Sequence, residues 1–142
     1  MLDVLIGEWS LEARFPGAPP SDLRGRVAFE WMSGDRFVIE RWEVPVPEAP
    51  DGVAIIGFDE GRQTLLQHYF DSRGVARVYE MTLEGGVWTL SRTAPDFSPL
   101  SFSQRFTGTF SDDGMRIDGR WEKTGDAGGW EHDFDLIYTR AR

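Results

Sequence analysis

A chain of 142 residues without a cysteine is expected to form one domain over 1–142 that buries roughly 70% of its unfolded surface, and it excludes disulfides, thiolate metal sites and cysteine nucleophiles. Twenty-four acids against fifteen bases leave a net charge of −9, which repels a phosphate backbone and argues against nucleic acid as a partner. Aromatic residues make up 13% of the chain, six of them tryptophan, so the interior either packs many rings or wraps them around a ligand.

The first residues, Met1 to Trp9, carry an acid where a secretory leader has bases, and their apolar stretch is short. The longest apolar run, Val53 to Phe58, is far below the roughly 20 residues of a membrane helix. The expectation is a cytoplasmic protein with no membrane partner. Fourteen of the fifteen bases are arginine and asparagine is absent, a bias we ascribe to coding composition.

Along the chain, Leu2 to Ile6 has room for one short helical turn. After it the dominant period is two, with turn residues every eight to twelve positions, which predicts an all-β sandwich or barrel. Ten strands are expected at 7–15, 24–32, 36–44, 53–59, 63–71, 74–83, 86–92, 101–110, 114–123 and 130–140. Hairpin chemistry marks Ser33-Gly34-Asp35, Asp59-Glu60-Gly61, Asp71-Ser72-Arg73-Gly74, Glu84-Gly85-Gly86 and Ser111-Asp112-Asp113-Gly114, where glycine supplies positive φ and Asp or Ser bonds back to the backbone. Proline-bearing joints at 16–20, 44–50 and 93–99 lack ladder donors and lie between strands. Ten consecutive antiparallel strands remove both sheet edges by closing into an up-and-down barrel. At that width a cavity is expected unless rings fill it.

Alternation assigns faces cleanly on four strands, with Trp9, Leu11, Ala13 and Phe15 inward on the first, and Val27, Phe29 and Trp31 on the second. The eighth turns in Phe102, Gln104, Phe106, Gly108 and Phe110, and the ninth Met115, Ile117, Gly119 and Trp121. On the last strand Trp130, His132, Phe134, Leu136 and Tyr138 share one face, which points His132 inward. The fifth strand groups His68 with Leu66 and Phe70 against Leu65, Gln67 and Tyr69, and its parity stays open. On the third, Arg41 goes with Phe37 and Ile39 while Glu40 goes with Val38 and Trp42, so one charge is expected inside.

Gly7-Glu8-Trp9 opening the first strand and Arg140 closing the last resemble the Gly-x-Trp and terminal arginine of lipocalin-like (calycin) barrels. That resemblance implies a structural trio of Gly7, Trp9 and Arg140, with the guanidinium lying across the indole and closing one end. The stretches IIGFDE, QHYFDSRGVARVYEM and FSQRFTGTFSDDG are similar to a set of bacterial lipocalin-like proteins of unknown function. The more distant resemblance to nitrobindin-like barrels implies haem held by a histidine of the last strand, which points to His132. This chain has Ser10-Leu11-Glu12-Ala13-Arg14 where that group has a glycine-rich run.

The expected role is binding of a small apolar or amphipathic molecule inside the barrel, with Trp31, Trp88, Phe106 and Tyr138 among its walls and a polar tip such as Gln104 or Tyr138 as an orienting group. His132 is read either as an axial ligand or proton acceptor or as a histidine bonded to a polar neighbour, and His68 has the same two readings. The pattern His132-Asp133-Phe134-Asp135 is no metal site, because its imidazole and carboxylates alternate across the strand. Asp112-Asp113 lacks the ligand series of a calcium loop, and neither a nucleophile elbow nor a phosphate-binding glycine motif occurs. An enzyme would use Glu40, His68 or His132 as acid or base, with Arg41 or Tyr79 beside Glu40. A homodimer would use surface aromatics such as Trp42 and Tyr69.

Overall fold

The computed structural model describes residues 1–46 and 49–141; Pro47 and Glu48, inside the expected 44–50 joint, and Arg142 lie outside the described residues. Among those described, a short 3-10 turn at Leu2–Leu5 precedes ten strands: β1 (Gly7–Arg14), β2 (Gly25–Trp31), β3 (Val38–Glu43), β4 (Gly52–Asp59), β5 (Thr64–Asp71), β6 (Ala76–Glu84), β7 (Val87–Arg92), β8 (Gln104–Phe110), β9 (Arg116–Thr124) and β10 (Trp130–Arg140). Every strand pairs antiparallel with its sequence neighbours, and β10 returns to pair with β1. The barrel therefore closes and leaves no open edge, as the repeated hairpin chemistry requires.

Most boundaries fall within two residues of expectation. The largest shift is at β8, which starts at Gln104 because Ser103 donates its N–H to the Thr124 hydroxyl rather than to the ladder. In the β4–β5 hairpin the left-handed residue is Gln63, at φ 56°, and not Gly61. Its side-chain amide donates to the Glu60 carbonyl at 2.7 Å and holds that conformation.

One end is closed by the N-terminal turn. The Trp9 indole donates to the Leu5 carbonyl at 2.9 Å, and Arg140 donates to Ile6 O at 2.6 Å and Val4 O at 2.8 Å while its guanidinium lies 4.1 Å from the Trp9 ring centre. Gly7 makes this approach possible. Its φ of 127° disfavours other residues, and a Cβ there would stand 2.7 Å from Arg140 Nη1. The trio Gly7, Trp9 and Arg140 thus forms a latch between the first and last strands.

Above the latch, Leu5, Trp9, Phe29, Val38, Ile56, Met81 and Ile117 form a buried apolar core. Phe106 lies across Gly108 and Gly119, where Cβ atoms would stand 2.9 and 2.5 Å from its ring. Ring packing over side-chain-free backbone fills this part of a barrel too wide for ordinary side chains to meet.

Candidate functional site

The other half of the barrel is not filled. A cavity of about 660 Å³ opens at the end away from the 3-10 turn. Its rim includes Phe15, Leu23, Val44, Phe102 and Phe134, and its walls are mostly aromatic: Trp42, Tyr69, Tyr79, Trp88, Phe106, Trp121 and Tyr138. The rings brace one another, with Trp42 stacked on Tyr69 at 5.3 Å and Tyr79 edge-on to Trp121 at 5.6 Å. Such pairs pre-organise the walls without filling the lumen.

Near the rim the polar groups are satisfied. Gln104 Oε1 accepts from Arg77 at 3.2 Å and from the Tyr79 hydroxyl at 3.1 Å. Tyr69 donates to Asp71 at 2.6 Å, and Arg73 donates to the same carboxylate. Burial would raise the Asp71 carboxyl, but the bonds from Arg73 and Tyr69 outweigh it and hold it at about 2. Lys123 stands 3.8 Å from Asp133. Beneath the 93–103 loop, Arg92 donates to both oxygens of Asp96, which also caps the Val78 N–H at 2.8 Å. The Arg92 bond, opposed by burial, keeps the Asp96 carboxyl far below its ordinary value.

Deeper in, the pattern reverses. Glu40, Gln67 and Trp88 are 6%, 4% and 1% exposed, and Glu40 Oε1, Gln67 Oε1 and Trp88 Nε1 have no hydrogen-bond partner among the described residues. All three side chains line the cavity. Burial pushes the Glu40 carboxyl up to about 8, so it is mostly protonated at neutral pH. The Tyr138 hydroxyl, raised by its own burial and then by the Glu40 charge, belongs to the same floor.

Several expected site residues stand elsewhere. His132 faces outward, because a bulge between His132 and Phe134 sets His132 opposite Glu122 on the outer face while Phe134 stays opposite inward Trp121. The inserted residue, Asp133, turns to the cavity rim instead. His132 Nε2 lies 2.8 Å from Asp135 Oδ1, a polar neighbour on its own strand. Trp130 follows it outward, with Arg105 4.1 Å above its ring.

His68 is also outside, opposite Ile55 and Val78, since Leu65, Gln67 and Tyr69 take the inner face of β5. Arg41 points out to within 3.7 Å of Glu30, so Glu40 is the inward charge of β3. Trp31 faces inward but packs against the core, outside the cavity lining. Trp42 and Tyr69, expected as surface dimer contacts, stack inside the mouth. The cavity does bring together Glu40, Trp88, Gln104, Phe106 and Tyr138. It adds Gln67, which sequence reasoning missed although its neighbours Leu65 and Tyr69 carry the parity signal.

Compared with known proteins, residues 1–140 match the family described as "Protein of unknown function (DUF1579)", and the chain belongs to that family. No curated protein matches. Among solved structures, the crystal structure of Rv2717c from M. tuberculosis is similar over 99% of this chain and 95% of that one, with a TM-score of 0.62 and 13% identity, a likeness of fold alone. No helix among the described residues is long and apolar enough to cross a membrane.

Proposed function

We propose that this barrel binds a small apolar or amphipathic molecule in its interior. The reading is carried by the aromatic cavity of about 660 Å³, which opens at one end of an otherwise closed and tightly latched barrel. A volume of that size falls in the range of small-molecule sites, which pair apolar walls with a few placed polar groups. Burial on aromatic walls supplies affinity, and the polar floor supplies orientation. Haem ligated by His132 has no support from this geometry, since the imidazole is outside the wall.

The test is titration with N-phenyl-1-naphthylamine, an uncharged apolar dye, followed by dye fluorescence and by the melting temperature. Saturation near one equivalent with a raised melting temperature supports the reading. Absence of saturable binding overturns it.

A second reading is favoured by one observation, a carboxyl at about 8 in a cavity that reaches solvent. That is the state of a general acid, and under this reading Glu40→Gln abolishes turnover of a bound molecule while leaving it bound.

A further inference from the structure

Building on the reading of the cavity as a binding site, we infer that its floor recognises an uncharged amide-type head, an N–H beside a C=O as in a carboxamide, lactam or ureide, carried on a flat apolar body. The argument starts from the three orphaned atoms. Buried polar atoms are nearly always paired, and each left unpaired is costly. Here Glu40 Oε1, Gln67 Oε1 and Trp88 Nε1 are all without partners among the described residues, and all three side chains line the same cavity. By contrast Gln104, nearer the rim, has its oxygen fully engaged. Among the described residues the unmet capacity lies at the floor.

Their placement is set by the fold. Glu40 lies opposite Phe29 on β2, and the Phe29 ring meets Trp88 at 6.0 Å. Trp88 in turn lies 5.8 Å from Tyr138, whose hydroxyl senses the Glu40 charge. Gln67 flanks Glu40 across β4, where the inward residues Ala54 and Ile56 are fully buried. The orphaned atoms are themselves shielded from solvent, on side chains that line the cavity. Terminal torsions of Glu and Gln are broad and roughly two-fold, so rotation presents either terminal atom to a guest without moving the backbone.

The unpaired set selects the head. Two acceptor oxygens and one indole N–H are unmet, and the protonated carboxyl adds an O–H. An ammonium has only donors and would leave the Trp88 N–H orphaned. A carboxylate or phosphate has only acceptors, so it can take the Trp88 N–H and the Glu40 O–H but offers no donor to either orphaned oxygen. Either charge would also have to be desolvated at the bottom of an aromatic well. A head with adjacent donor and acceptor meets both kinds of group at once and carries no charge. The fixed cations, Arg73, Arg77 and Lys123, stand nearer the rim, each beside a carboxylate or amide partner.

The test is calorimetric titration of the whole chain at pH 7 with four probes sharing one body: naphthalene, 2-naphthamide, 2-naphthoate and 2-naphthylmethylammonium. The inference expects the amide to bind about ten-fold more tightly than either charged probe. In Gln67→Leu and Trp88→Phe, its advantage over naphthalene shrinks about five-fold, the size expected for one lost hydrogen bond. Circular dichroism confirms that each variant is folded, and the wild-type probe ranking stands independently of the variants. If the ammonium or the carboxylate binds as well as the amide, the head assignment is overturned while the cavity reading survives. If none of the four probes binds, both are overturned.

Discussion

Replacing Glu40 by glutamine changes one atom of the cavity floor, and its effect on stability is set by the proton it removes. The Glu40 carboxyl stands at about 8 in the folded barrel against an ordinary 4.5, because burial disfavours its charged form. Below pH 4.5 both folded and unfolded states hold the proton and nothing is lost. Between 4.5 and 8 the unfolded chain releases it while the barrel retains it, so stability falls as pH rises. At ~1.4 kcal/mol per pH unit, the wild type has lost about 3 kcal/mol by pH 7 and about 4 kcal/mol by pH 8, upper values for a site that a cavity connects to solvent. Tyr138 faces the carboxyl, and Arg73, Arg77, Lys123 and Asp133 stand toward the mouth; these are common to both proteins and cancel in the difference. Glu40→Gln keeps the shape and cannot ionise. Urea unfolding at pH 5, 6, 7 and 8 is therefore expected to show the smallest difference, under about 1 kcal/mol, at pH 5 and a variant that is increasingly the more stable above it. Parallel curves from pH 5 to 8, or a wild type more stable at pH 8, would refute the assignment of Glu40 as a buried, unpaired acid.

Asp96→Asn removes the negative partner of buried Arg92 and one oxygen that accepts from both Arg92 and the Val78 N–H, so a loss of about 3 kcal/mol is expected in urea unfolding at pH 7. Because the Asp96 carboxyl is held far below its ordinary value of 3.8, its contribution is present above that value and is lost as pH falls below it. The variant should therefore show a shallower acid-unfolding slope. Gly7→Ala places a Cβ against Arg140 Nη1 at a φ of 127°, and a loss of roughly 2 kcal/mol is expected, with the melting temperature as readout; a neutral result would mean the latch does not depend on that contact. His132→Ala leaves dye affinity unchanged within error and produces no histidine-dependent Soret shift when ferric haem is added, since the imidazole lies on the outer face. Loss of a one-equivalent Soret shift in this variant would place the ring inside after all.

The all-β class, the ten strands and their closure were legible in the chain because each rests on local chemistry. Turn residues recur at fixed intervals, and alternation repeats within every strand. The latch of Gly7, Trp9 and Arg140 rested instead on a resemblance to lipocalin-like barrels, since no local pattern pairs the ends of the first and last strands. Glu40 or Arg41 inside was as far as alternation alone could go. Only the register of β3 against its neighbours, with Glu40 opposite inward Phe29 and Ala54, decided between them.

What local pattern does not carry is an insertion. The extra residue Asp133 shifts β10 by one position and reverses His132, Trp130 and every face assignment before Phe134, and no residue in that stretch announces it. Cavity shape is equally non-local. Trp88, Gln67 and Glu40 come from three strands far apart in sequence. Whether their polar atoms find partners depends on what the closed barrel sets around them, which is a property of the assembled tertiary structure.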